Sequence, residues 1–124
     1  IESVAKQNCE NLEHIIVDGL STDGTVSAIE LKAKKYSHIR WISECDKGQS
    51  DAMNKGVALA TGGILGFLNA DDYYEPNIFK EVQEKFSGLP EPTLLVGNCT
   101  VWKADGLVDF VSRPNRISLK NLLL

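Results

Sequence analysis

Three short apolar runs punctuate the first half of the chain. His14-Ile15-Ile16-Val17-Asp18, Ile39-Arg40-Trp41-Ile42-Ser43 and Ile64 to Leu68 are strand-length and bounded by polar or glycine-containing segments. Such runs read as strands buried in a parallel sheet. Between them the apolar period changes to helical spacing. Val26, Ile29, Ala33 and Tyr36 place a helix over Thr25 to Tyr36, and Met53, Val57 and Ala60 form the stripe of a second helix ending at Thr61-Gly62-Gly63. Ser50 is the expected cap of that second helix. Gly56, inside it, costs roughly 1 kcal/mol relative to Ala, a cost that close packing against a neighbouring strand would offset. Pro76 opens a third helix running to about Phe86. Leu89-Pro90-Glu91-Pro92 is a rigid connector, Thr93 to Trp102 is a long strand or a bent pair, and Ala104-Asp105-Gly106 turns the chain back into Leu107 to Val111.

The order β-α-β-α-β-α followed by a β-hairpin predicts an α/β fold: a mixed, mainly parallel sheet with helices on both faces. In doubly wound sheets the first strand is usually central. Here the chain opens on a helix fragment, Ile1 to Asn8, which places the central strand upstream of Ile1 and leaves sheet edges unpaired. The other end, Ser118 to Leu124, stops in the middle of an apolar face. Both ends read as cuts in a longer protein.

Composition narrows the function more than the fold. The chain has 124 residues, 43% hydrophobic and 24% charged, with a formal net charge of -4, which fits one globular domain with a real core. Lys and Arg form no long basic block; the densest run, Lys32 to Lys35, falls within a predicted helix, so nucleic acid is not an expected partner. Cys9, Cys45 and Cys99 are odd in number and far apart, with no CxxC spacing, and read as unpaired thiols in place of a zinc site. No apolar run approaches the ~20 residues needed to cross a bilayer, and the opening residues do not read as a signal peptide.

The chemistry gathers where the third run ends, at Asn69-Ala70-Asp71-Asp72. Parallel strands put their carboxyl ends on one rim, so Asp18 and the Asp71-Asp72 pair share it, and ligands of open α/β sheets bind there. Converging carboxylates repel unless a cation or hydrogen-bond donors compensate them. A hard cation, Mg²⁺ or Mn²⁺, takes oxygen ligands and leaves positions open for phosphate oxygens, which suits a nucleoside diphosphate. The competing reading makes the two acids caps of the next turn or helix. Other motifs fail. Leu20 to Glu30 matches a calcium loop at Asp23, Gly24 and Glu30, but its first position is Gly19 and a strand precedes it. There is no P-loop, no dinucleotide fingerprint and no GxSxG elbow, and His14 and His38 read as structural or exposed.

Three blocks together resemble the family 2 glycosyltransferases of the GT-A fold. Ile16 to Thr25 is similar to the family's V-D-x-x-S-x-D-x-T segment. Asp46 to Gly56, with Ala60-Thr61-Gly62 behind it, is similar to D-x-G-x-x-D-A-x-N-x-G ahead of A-x-G. Phe67 to Asp72 is similar to the DxD-type metal motif. Order and spacing agree over about Ser3 to Phe86. The resemblance makes residues 1–124 the donor-binding portion of a catalytic domain that moves a sugar from a nucleotide-activated donor, a UDP-sugar first among them, to a hydroxyl of a saccharide or lipid-linked acceptor. It implies Asp18 near the base or ribose, Asp51, Asn54, Asn69 and Asp71 along the donor, and Asp71 and Asp72 at a Mn²⁺ or Mg²⁺ ion. It also implies bacterial surface polysaccharide synthesis, in the cytoplasm at the inner face of the plasma membrane with peripheral association. The chain departs from the pattern at Gly19, where many relatives carry a second acid, and at Asn69, which replaces the first Asp of a strict D-x-D. Either Asp71 or Asp72 can be the direct ligand. The catalytic base of inverting relatives follows the late hairpin; here no acid follows Asp109, which assigns the base to residues outside the chain. The alternatives are a nucleotide-binding module without chemistry and, ranked last, a receiver-like Mg²⁺ domain, which would need its acid pair after the first strand.

Overall fold

The computed structural model describes residues 1–90 and 93–113. They fall into two units, Ile1–Ser87 and one beginning at Gly88, each of which is described by itself. Glu91 and Pro92 of the expected connector, and Arg116, Lys120 and the apolar end Ser118 to Leu124, lie outside the described residues.

In the first unit, β1 (His14–Asp18) and β2 (Ile39–Ser43) pair in parallel, with His14 opposite Ile39 and Asp18 opposite Ser43. Both strands match the expected runs. The crossover between them contains α2 (Thr25–Lys35). Its expected inward stripe is the one observed: Ile29 is buried, and Val26, Ala33 and Tyr36 are half-buried. Helix α2 packs on β2, and α3 (Gln49–Leu59) packs on β1. Helix α3 does lie against the strand at Gly56, but a Cβ there would sit 3.7 Å from Val17 Cγ2, an ordinary van der Waals contact, so the expected offset of the glycine's cost by close packing is not found.

α1 (Glu2–Ala5) contributes the buried Val4 and is tied to α2 by Glu2. The Glu2 carboxylate takes Lys32 Nζ at 2.5 Å and Tyr36 Oη at 2.8 Å. Those bonds, from Lys32 first and Tyr36 second, hold its pKa down to about 2. The core is small: Val4, Ile29 and Ile39 are its buried apolar residues.

Several expectations change. Ile64 to Leu68 forms no strand: Ile64, Leu65 and Phe67 are exposed, and no described segment pairs with β1 opposite β2. An apolar run predicts burial, but a strand exists only where a neighbour meets its backbone N–H and C=O groups. Helix α3 starts at Gln49, one residue before the expected cap Ser50, because Gly48 at φ 111° ends the preceding loop. It closes without a left-handed glycine, through Ala60 in an extended conformation, and Val57 of its expected stripe is exposed. Helix α4 (Ile78–Phe86) starts two residues after Pro76, because Asn77 adopts left-handed φ and ψ that a helix cannot include.

The second unit holds a hairpin of β3 (Cys99–Trp102) and β4 (Val108–Ser112), antiparallel, joined through the expected turn at Ala104 to Gly106. Val101 faces Phe110 and Trp102 faces Val108, so Asp109 is the extra residue of a bulge. The long strand expected from Thr93 is confined to Cys99–Trp102, and the hairpin strands pair only with each other among the described residues.

Two predictions follow from this packing. Gly56→Ala places its methyl in ordinary contact with Val17 and should leave stability unchanged or raise it by up to ~1 kcal/mol; Gly56→Leu should lose ~1–3 kcal/mol by overpacking, both read from urea midpoints. The second concerns His14, whose pKa is lowered to about 4, by burial foremost and also by His38. Its Nδ1 and the Nε2 of His38 are buried without a hydrogen-bond partner among the described residues. The native imidazole is therefore neutral where the unfolded one, near 6.5, takes up a proton. Stability should be level above neutrality and fall as pH drops from about 6.5 toward 4, and thermal midpoints of His14→Leu across that window should lose most of the slope.

Candidate functional site

The site is built from three turns of the first unit: the one after β1, the loop from β2 to α3, and the loop that follows the third apolar run.

Asp18 ends β1 with its side chain almost fully buried. Its Oδ2 accepts the Ser21 backbone N–H at 3.0 Å and the Ser43 hydroxyl at 2.6 Å. These bonds, from Ser21 and then Ser43, keep the carboxyl below its ordinary pKa. A charge this buried is tolerable only because the turn and the end of β2 supply donors. Through Oδ2, Asp18 thus ties the turn after β1 to the end of β2. Gly19, next in the chain, is exposed, and the Asp46 carboxylate lies over it: a Cβ at Gly19 would sit 2.6 Å from Asp46 Oδ2. The other oxygen, Asp46 Oδ1, accepts the Gly48 N–H at 2.8 Å.

The loop from Glu44 to Gly48 is braced from behind by Lys55. Its ammonium donates to the Cys45 carbonyl at 2.6 Å and pairs with Glu44 at 3.0 Å and with Asp51 at 3.4 Å. Glu44 foremost, and then Asp51, raise the Lys55 pKa and keep the side chain cationic. Asp51 Oδ2 also accepts the Lys47 N–H at 3.1 Å. Of the expected donor-side residues on α3, Asp51 is engaged in holding the loop, while Asn54 is exposed with no hydrogen bond from its side chain among the described residues.

The acid pair sits in an exposed loop with a fixed frame. Tyr74 donates its hydroxyl to the Phe67 carbonyl at 3.0 Å, and its backbone N–H donates to Ser3 Oγ at 3.3 Å. Buried Gln7 donates Nε2 to the carbonyls of Ser3 and Glu75 at 2.8 and 2.9 Å and accepts the Phe79 N–H at 3.3 Å. Within this frame Asn69 Nδ2 donates to Asp72 Oδ2 at 2.9 Å, and Asn69 Oδ1 accepts Gln49 Nε2 at 2.7 Å. Asp71 is exposed and no side-chain hydrogen bond or ion pair engages it among the described residues. Asp72 borders an open cleft of about 680 Å³ that it shares with Glu2, Lys6 and Tyr73; Asp51, Asn54, Asn69 and Asp71 do not line it.

Asn69, Asp71 and Asp72 are therefore together, and α3 reaches them through Gln49. Asp18 has no hydrogen bond to them; its carbonyl accepts the Glu44 N–H at 3.0 Å, at the start of the loop that leads to α3 and Gln49. Sequence reasoning missed Gln49, Asp46 and Gln7. The first two sit inside the block Asp46 to Gly56, and a helix start read at Gly48 would have put Gln49 in its first turn. Nothing in sequence marks Gln7, whose role depends on Glu75 and Phe79. Among the described residues no group of three or more His, Cys, Asp or Glu side chains is gathered to hold a metal. The donor set that is present, two adjacent carboxylates with free oxygens facing solvent, fits a hard cation that keeps waters or phosphate oxygens for most of its shell.

The family model described as Glycosyl transferase family 2 matches residues 1–115. A PGL/p-HBAD biosynthesis glycosyltransferase of Mycobacterium bovis (strain BCG / Pasteur 1173P2) is 42% identical over 98 residues, covering 77% of this chain and 38% of its own length. An uncharacterised glycosyltransferase of Mycobacterium tuberculosis (strain CDC 1551 / Oshkosh) is 37% identical over 99% of this chain and 46% of its own length. The YibD glycosyltransferase of Escherichia coli (strain K12), also uncharacterised, is 35% identical over 64% of this chain and 23% of its length. The chain thus spans less than half the length of these relatives. No solved structure matches it significantly. The family match runs through every element from α1 to β4, and the chain belongs to glycosyl transferase family 2, with the Rossmann-like α/β fold of the GT-A type.

Proposed function

We propose that these residues form the donor-binding part of a glycosyltransferase that moves a sugar from a nucleoside diphosphate, UDP first among the candidates, to an acceptor hydroxyl. The observation that carries the reading is the Asp71 carboxylate, unengaged among the described residues, beside an Asp72 held by Asn69, at the end of the third apolar run of a family 2 chain. Asp71 and Asp72 would hold a divalent cation, Mn²⁺ or Mg²⁺, which offsets charge on the departing diphosphate when bound. Asn69 orients one of the two acids. Asp18 holds the turn after β1 in the shape on which a base or ribose rests, and Asp51 with Lys55 keeps the β2–α3 loop in place beside it. Asn54, exposed on α3, is available to the donor.

The reaction also needs a general base to deprotonate the acceptor, and none of the acids described above is given that role. The acceptor is a saccharide or a lipid-linked hydroxyl, in bacterial surface polysaccharide synthesis at the cytoplasmic face of the membrane; one relative is named for PGL/p-HBAD biosynthesis. Among the described residues no helix is long and apolar enough to cross a membrane; peripheral association with the membrane is part of the proposal and follows from the family resemblance.

Titration of the full-length protein with UDP, GDP and dTDP, with and without Mn²⁺, tests the reading. UDP binding should strengthen with Mn²⁺, and Asp71→Ala with Asp72→Ala should weaken it at least ~tenfold, since even outer-shell partners of a metal are worth that much. Metal-independent binding untouched by the double substitution would sink the metal site. Asp18→Ala should behave differently: by leaving Ser21 N–H and Ser43 Oγ without their acceptor it should cost ~1–3 kcal/mol of stability, visible as a lower melting temperature that the Asp71 and Asp72 variants do not show.

A further inference from the structure

The hydrogen bond from α3 to the acid loop gives Gln49 a role that neither the family match nor the motif supplies. We infer that Gln49 is a positioning residue for the cation site: through Asn69 it fixes the Asp72 carboxylate and leaves Asp71 as the acid free to take the ion first. The inference rests on the donor-site reading above.

The argument begins with what each group can do. An ionised Asp72 only accepts hydrogen bonds, so Asn69 must turn its NH₂ toward it. The Asn69 oxygen then points the other way, and the only partner that satisfies it there is a donor. Gln49 Nε2 is that donor, 2.7 Å away, and Asn69 Nδ2 reaches Asp72 Oδ2 at 2.9 Å. The terminal torsion of an asparagine is broad and roughly two-fold, so rotamer preference alone does not hold its amide plane. It is held because both ends are engaged. The Asp72 N–H also donates to the Asn69 carbonyl at 3.2 Å, which closes the turn between them.

The same geometry explains why an amide stands at position 69. A carboxylate there would accept equally well from Gln49 but would set a second negative charge against Asp72 at hydrogen-bond distance. With Asn69, one Asp72 oxygen is tied down and the other remains available. Asp71 has no such tether among the described residues. Ligating carboxylates are commonly held by outer-shell hydrogen bonds whose loss weakens metal binding. Gln49 and Asn69 are such a shell for Asp72, anchored in the first residue of a helix that itself packs on β1.

The test is a Mn²⁺ titration of the full-length protein, with free Mn²⁺ read by its paramagnetic resonance signal, in the presence and absence of UDP. Gln49→Leu and Asn69→Ala should each weaken Mn²⁺ binding about tenfold. Because they act through one hydrogen-bonded chain, the double variant should be no weaker than the weaker single. Melting temperatures should stay at the wild-type value, since all three side chains are exposed, and the UDP-sugar KM should rise more than kcat falls. Asp71→Asn should abolish binding. Wild-type affinity in Gln49→Leu, or additive losses in the double variant, overturns the inference while leaving the donor site standing. A wild-type protein that binds no Mn²⁺, or an Asp71→Asn variant that binds it normally, removes the donor-site reading itself and the inference with it.

Discussion

One buried amide determines where the acid loop sits. Gln7 is enclosed by protein, and a polar group in that position is tolerable only if its donors and acceptor are used. It uses them on three separate stretches: the α1 backbone at Ser3, the chain at Glu75 just after the acids, and the first residues of α4 at Phe79. The loop between Phe67 and Tyr74 has no strand ladder to hold it. Its position therefore comes from this clasp, from the Ser3 contact with Tyr74, and from the internal bond of the Tyr74 hydroxyl to Phe67. The exposed carboxylates are presented on a loop whose two ends are fixed by buried or half-buried groups.

Charge in the site is arranged by the same logic of used and unused acceptors. Asp18, Asp51 and Asp72 each have at least one oxygen engaged by an N–H or O–H donor, and Asp46 divides its two between the Gly48 N–H and the surface of Gly19. Asp71 alone of these stands without a hydrogen bond among the described residues. Most of the acids that the sequence concentrates near the strand ends are therefore structural in part. They shape the turns, and Asp71, which has no such bond among the described residues, is the acid that the proposed function assigns to the cation.

Sequence was most informative where a local signal and a global one coincide. β1 and β2 were readable to the residue because β-branched runs, turn residues and the parallel partner all agree, and the inward face of α2 followed from its period. The run at Ile64 to Leu68 shows the opposite case. Its composition says strand, but pairing is supplied by another segment, and no local pattern can state whether that segment is present. Helix starts failed for a related reason: Gly48 and Asn77 set them through backbone torsions, while the residues with the stronger reputation as starts, Ser50 and Pro76, lie off the boundary. In the site, acids were legible because paired charge at the end of an apolar run is rare. Amides were not. Gln7 and Gln49 are ordinary surface residues by composition and acquire their roles only from what the fold brings opposite them.

The contact between Asp46 and Gly19 ties two distant positions into one. A Cβ added at residue 19 would sit 2.6 Å from Asp46 Oδ2, so the Asp46 side chain would have to turn, and its other oxygen is the one that accepts the Gly48 N–H at the start of α3. An acid at position 19 would in addition place like charge against like. In this chain the outermost carboxylate of the rim lies over a residue with no side chain, so the turn after β1 and the start of α3 are coupled through Asp46.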